Sequence, residues 1–246
     1  MTDNMQIWER VEATDPKYTK KITGKKFNGT SPNPIYLARK ATEVFGPIGS
    51  GWGHTELSHE IIETPKREDG NCGKIWVCHV ELWYMLDGAK CTLSQYGQTE
   101  MVYWSDSGNK WIIDDEAPKK SRTDAVTKCL SLLGFSADIW LGYYDSKEYV
   151  NQVGEQIEAE RKAEDAEKSH ALALKQLEST LKSAGCEDAN DKTAVVQYVT
   201  GTQYGFAHVE ANYGWPHKVQ TKIQEVCKRD GIKPVDILLA AKGQTA

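Results

Sequence analysis

Lys74-Ile-Trp-Val-Cys-His-Val-Glu-Leu-Trp-Tyr-Met-Leu-Asp-Gly-Ala-Lys-Cys-Thr-Leu-Ser-Gln-Tyr-Gly-Gln-Thr-Glu-Met-Val-Tyr-Trp104 is the stretch on which the fold class turns. Trp76, Cys78, Val80, Leu82 and Tyr84 recur at a spacing of two, which puts them on one face of a strand running from Lys74 to Leu86. Asp87-Gly88 is a two-residue hairpin signal, because both turn positions need a positive φ. Lys90 to Trp104 then reads as the returning partner strand. Gly97, inside that partner, marks a bulge or a place where another backbone comes close.

Towards the N-terminus, His54 to Glu63 reads as a first strand, so the three make an antiparallel meander. Ile35 to Phe45 has apolar residues at 37, 38, 41, 44 and 45, a helical spacing, and Gly46 ends it. Gly49-Ser-Gly-Trp-Gly53 leads from that helix into the sheet, and Gln6 to Ala13 makes a short helix closed by Asp15-Pro16. Lys17 to Asn33, broken by glycine and proline, reads as an extended loop or a short edge strand. Towards the C-terminus a polar excursion, Ser105 to Asn109, precedes Trp111-Ile112-Ile113. Asp114-Asp115-Glu116-Ala117-Pro118 has the acids and proline of a first helical turn, opening a helix that runs to about Leu133 and stops at Gly134.

Residues 1–150 therefore read as an α+β domain, an antiparallel β-meander packed with helices. Residues 151–170 are charged and almost without an apolar face, which predicts a solvated helical linker. Residues 171–246 form a small all-helical module, with helices over 171–184, 191–200, 217–230 and 234–241. Its expected core is Leu172, Leu177, Leu181, Val195, Tyr198, Trp215, Ile223 and Val226.

The composition is that of a globular protein, with 39% hydrophobic and 26% charged residues. No apolar run approaches the roughly 20 residues needed to span a bilayer. Met1 to Arg10 lacks an apolar stretch of signal-peptide length, so the expectation is a cytoplasmic protein. Six cysteines lie far apart with no C-x-x-C pair, which predicts reduced, mostly buried thiols. The formal net charge is −5, yet the charge is unevenly spread. From Pro16 to Thr42 there are seven cations, Lys17, Lys20, Lys21, Lys25, Lys26, Arg39 and Lys40, and no Asp or Glu. A local basic patch supplies phosphate contacts even on an acidic protein.

Covalent chemistry finds little footing. Gly46 to Gly51 is glycine-rich but is not followed by Lys-Ser/Thr, so it is no Walker A loop, and beside a tryptophan it reads as a tight turn sooner than as a phosphate cradle. No Gly-x-Ser-x-Gly elbow is present. His54, His59 and His79 lack the cysteine or carboxylate spacing of a metal site. Asp114, Asp115 and Glu116 fit a divalent-metal nucleic-acid enzyme, or more simply a helix start. No cofactor is implied. The stretch from Lys17 to Lys40 interleaves its cations with Thr19, Thr23, Thr30, Tyr18, Phe27 and Tyr36; cations and hydroxyls meet phosphates, and aromatics stack on bases whatever their sequence. A second cationic group, Lys119, Lys120, Arg122 and Lys128, lies on the helix after the sheet, diluted by Asp124. Solvated basic surfaces, or a scaffold contacting acidic proteins, explain the same residues.

Four pieces in this order resemble the Rad fifty-two superfamily of single-strand annealing proteins, including phage branches such as Sak. Ile35 to Gly46 followed by Gly51-Trp-Gly53 is similar to the family's helix ending in Phe-Gly and the Gly-Trp before its sheet. Tyr96-Gly97 on the hairpin resembles its Gly-Tyr-Gly region, and Lys119 to Leu130 its Lys-x-x-x-Glu-Ala-Val-Thr-Asp-x-Leu helix. Leu141-Gly-Tyr-Tyr-Asp145 and Lys147 to Tyr149 resemble its domain end, so the likeness covers about residues 8–150. It implies a homo-oligomeric ring, with single-stranded DNA in a basic outer groove and bases open for ATP-independent annealing in recombination and repair. The chain departs from the pattern at Ser131 and Leu132, where the family carries Lys-Arg, and at Tyr36, where it carries Arg. Lys119, Lys120, Arg122 and Lys128, with the Lys17 to Lys26 arm, then have to bind the strand, joined by Tyr36, Arg39 and Lys40. Residues 171–246 lie outside the likeness; they serve either as a docking site for a host single-strand-binding protein or partner exonuclease, or as a folding appendage.

Overall fold

The structure, a computed structural model, describes residues 4–22 and 29–243. The chain divides into two compact units, Met1–Glu155 and Gln156–Ala246.

The first unit is α+β. After α1 (Gln6–Val11) and a 3-10 turn (Pro16–Tyr18), β1 (Thr19–Ile22) and β2 (Gly29–Pro32) pair antiparallel as a small sheet of their own, Lys20 opposite Ser31. The stretch expected as loop or edge strand is thus a hairpin, with both arms paired locally. Asn33 opens α2 (Pro34–Phe45): its side chain accepts the Ile35 N–H at 2.9 Å, and Pro34 fits the first turn, where no N–H is needed. Gly46 ends the helix at φ +95°.

Four antiparallel strands follow in chain order, β3 (Trp52–Glu63), β4 (Lys74–Leu86), β5 (Ala89–Ser105) and β6 (Lys110–Ile113). The meander has one strand more than the three expected. Trp111-Ile112-Ile113 is too short to declare itself by periodicity, and it is held by pairing Val102 with Ile113 and Trp104 with Trp111, whose rings meet edge-on at 5.7 Å. Asp87 and Gly88, at φ 49° and 80°, make the tight turn between β4 and β5.

Cys78, Val80 and Leu82 are fully buried on the face read from the sequence. α3 (Ala117–Leu132) covers that face with Ala125, Cys129 and Leu130. Gly97 sits opposite Cys78, and a Cβ there would lie 2.0 Å from the Ser121 carbonyl oxygen and 2.4 Å from the Ala125 nitrogen. The helix therefore rests on bare backbone at this point, and the Ser121 hydroxyl donates to the Trp76 carbonyl at 3.0 Å. Within α4 (Ala137–Trp140), the buried Asp138 carboxylate accepts from the Thr14 N–H at 2.8 Å, the Thr14 hydroxyl at 2.7 Å and the Tyr149 hydroxyl at 3.2 Å. That carboxylate ties the N-terminal segment to the end of the unit.

α5 (Lys147–Ser183) runs without a break through the charged segment and the amphipathic one after it. Ala, Glu, Lys and Arg are strong helix formers, and pairs such as Glu164–Lys168 and Glu158–Arg161 support one face, so nothing interrupts the helix. The second unit adds α6 (Ala189–Thr200), α7 (Phe206–Ala211), α8 (Trp215–Asp230) and α9 (Ile237–Ala241). Leu177, Leu181, Val195, Ile223 and Val226 are buried in its core with Phe206, Val209, Val219 and Ile237. Leu172 is instead exposed, Tyr198 lies at the surface, and α7 has no counterpart in the sequence reading, being only six residues long.

Four of the six cysteines are buried, Cys72 and Cys91 are half-buried, and all six are free thiols. Among the described residues no helix is long and apolar enough to cross a membrane.

Candidate nucleic-acid interface

Asp15 starts the basic arm by accepting the Lys17 N–H at 2.9 Å, which turns the chain into β1. Lys20 and Lys21 follow at consecutive strand positions, both exposed, and so project to opposite faces of the hairpin. Among the described residues neither has a carboxylate partner. Lys25 and Lys26 lie outside the described residues.

Tyr18 stacks on Tyr36 with ring centroids 4.8 Å apart and planes 11° from parallel. The two rings have different fates. Tyr36 is 9% exposed, its hydroxyl accepts the Asp15 N–H at 3.2 Å, and burial pushes its pKa up to about 12. Tyr36 is therefore a core residue, and as the third residue of a helix with a buried inner face it is drawn inward. Tyr18 carries the accessible aromatic surface of the pair, 36% exposed. Arg39 on α2 is engaged by Glu43 at 2.8 Å, and the Lys40 ammonium donates to the Ala13 carbonyl at 3.2 Å while standing 5.8 Å from the centre of the Tyr36 ring.

The cations of α3 are mostly neutralised where they stand. Lys119 pairs with Glu116 at 2.6 Å, Lys120 with Asp114 at 2.7 Å, and Lys128 with Asp124 at 2.9 Å. Hydrogen bonds from Lys120 and Lys119 hold the Asp114 and Glu116 carboxyls below the usual carboxylate range. The acidic cluster that opens α3 is thus bound up with the helix's own lysines. Among the described residues no three His, Cys, Asp or Glu side chains are grouped to hold a metal ion. His59 instead contacts Glu56 at 2.9 Å and stacks on Trp76, and His79 stacks on Tyr96.

Arg122 differs from its neighbours. It lines a groove of about 580 Å³ between α2 and α3, with Lys119 on the same wall and Ile35, Ala38, Ile48 and Val126 making apolar lining. Ile35 and Ile48 are 77% and 59% exposed. Arg39 lies one helical turn from Ile35, on the same face of α2. The Arg122 guanidinium comes within 3.4 Å of His54 Nδ1, and burial first, the Arg122 charge second, lowers the His54 pKa from its usual value. His54 is thereby kept as a neutral acceptor beside Arg122. The fold thus gathers Lys119 and Arg122 at one groove and Lys20 and Lys21 on one hairpin, with Lys17 in the turn before it. Lys120 and Lys128 lie along α3 outside the groove lining. The role of His54 was not legible in sequence, since a histidine's place beside an arginine 68 residues away depends on the register of β3 against α3.

No protein-family model matches the chain, and no curated protein or solved structure does.

Proposed function

We propose that this protein binds single-stranded DNA and anneals complementary strands without ATP, as a homo-oligomer acting in recombination and repair. The observation that carries the reading is the basic hairpin. Lys20 and Lys21 are exposed and free of carboxylate partners among the described residues, whereas Lys119, Lys120 and Lys128 each lie against an acid. Unpaired surface ammonium groups release phosphate counterions on binding, and the open ring of Tyr18 beside them suits base stacking. The groove between α2 and α3 adds Arg122 as a further cation, on a wall of its own apart from the hairpin residues.

Annealing in this reading is physical. Phosphates are neutralised, one strand is held extended, and base pairing supplies the free energy. Many weak contacts act together when copies line up along the strand. Two free sheet edges favour such assembly. Among the described residues no strand pairs with the outer side of β3, where only Trp52 is bridged, by Ile48, and none pairs with the far side of β5 from Ala89 to Gly97. Leu57, Ile61 and Ile62 stand exposed on β3, where an unpaired, apolar edge invites another copy. The cytoplasm is the compartment this function needs.

Anisotropy titration of a labelled oligo-dT over a range of salt tests the site. The double reversal Lys20→Glu with Lys21→Glu should weaken binding and flatten the log–log salt slope by about 1.4, at roughly 0.7 per phosphate contact on a single strand. Unchanged affinity and slope would refute the hairpin as the contact surface.

A further inference from the structure

The second unit closes its core around Leu177, Leu181, Phe206 and Ile223, with Trp215 half-buried against its edge, and leaves Tyr204 and His208 beyond that tryptophan. Tyr204 precedes α7 and lies face to face on His208, with centroids 4.0 Å apart and planes 14° from parallel. Gly214, at φ +79°, turns the chain from α7 into α8 and brings Trp215 edge-on to both rings, at 5.4 Å and 4.5 Å. Asn212 Nδ2 donates to the His208 carbonyl at 2.8 Å, which fixes the end of α7 beneath the stack. Lys218 stands over Trp215 with its ammonium 4.3 Å from the ring centre. Among the described residues Lys218 has no carboxylate partner, and no further ring covers Tyr204, which is 48% exposed.

This arrangement is a two-ring stack that ends at solvent, with an uncompensated ammonium on the neighbouring indole. A core aromatic would be covered, and an aromatic placed only for solubility would have no reason to be stacked and braced. An open π-face beside a positive charge suits a nucleobase followed by its phosphate, and stacking of this kind accepts any base. A peptide ring would also stack, but would leave the ammonium unanswered unless it carried an acid at the right place. We propose that Tyr204 is a stacking platform for a base of single-stranded nucleic acid, with Lys218 on the adjoining phosphate. The second unit would then hold a nucleic-acid contact of its own. This rests on the annealing reading only for the choice of ligand, since the residues are different ones.

The test uses the full chain and oligo-dT carrying one 5-iodouracil, with photocrosslinks mapped by peptide mass, in the native chain and in the Lys20→Glu, Lys21→Glu background. A crosslink at Tyr204 in both backgrounds is expected. Tyr204→Ala should weaken oligonucleotide binding about tenfold, the effect of losing one stacked base, while Tyr204→Phe keeps affinity within about twofold. Crosslinks confined to the hairpin and groove, or native affinity in Tyr204→Ala, would overturn the proposal while leaving the hairpin reading intact. A crosslink at Tyr204 with no effect of the hairpin reversal would support the platform and remove the hairpin. No oligonucleotide binding by the native chain would overturn both.

Discussion

Single residues carry the sharpest consequences of this fold. Gly97 has no room for a methyl group, because the Ser121 carbonyl and the Ala125 backbone occupy the space. Gly97→Ala should therefore cost about 3 kcal/mol, the upper range of overpacking a closed core, read as a lower urea midpoint. Native-like stability of that variant would mean α3 does not rest on β5 as described. His54 predicts a pH effect whose sign follows from its lowered pKa. The unfolded ring takes up a proton near its usual value of 6.5, while the folded ring resists protonation. Below that pH the unfolded state binds more protons, so stability falls on acidification. His54→Gln should lose less stability than the native chain between pH 7.5 and 5.5. Equal losses would show that His54 does not titrate differently on folding. Gly97 was legible in sequence as a bulge or a close approach, and the structure makes it the latter. Tyr36 and Tyr18 could not be told apart from sequence, because both sit in a polar, basic stretch and only the helix's inner face decides which ring is covered.

Among the elements, those with strong periodicity were readable: β4 has the limits expected of it, α2 begins one residue earlier than expected, and α3 starts at Ala117, after the acidic run expected to open it. What escaped was β6 and α7, both shorter than a period can reveal, and the pairing of β1 with β2, which depends on a contact across residues 23–28 rather than on either strand alone. The same limit applies to the charges. Sequence counts Lys119, Lys120, Arg122 and Lys128 as one cationic group on the helix, diluted by Asp124, but the structure sets three of the four against carboxylates at 2.6–2.9 Å. Reversing Lys119, Lys120 and Lys128 to Glu should accordingly reduce oligonucleotide affinity less than reversing Lys20 and Lys21. Exposed ion pairs of this kind contribute about 0–1 kcal/mol each to stability, so the variant should stay folded. A larger loss from the helix than from the hairpin in anisotropy titrations would move the binding surface onto α3.

At the scale of the whole molecule, the architecture was legible as an α+β unit followed by a helical one, because a strong hairpin and amphipathic helices follow from periodicity. Assembly is a proposal that the sequence offered only through resemblance, since sheet edges are a property of the finished sheet. The free edge of β3 makes it testable. Ile61→Lys with Ile62→Lys places two charges on that edge and should lower the mass seen by light scattering, with circular dichroism unchanged. An unaltered mass would put any interface elsewhere. The central claim is annealing itself, and it is tested most directly by mixing complementary dye-labelled oligonucleotides with the purified protein in EDTA and without ATP. The account predicts pairing faster than in the protein-free control, with the acceleration lost as salt is raised. Pairing at the protein-free rate, by a chain shown to be folded, would contradict it.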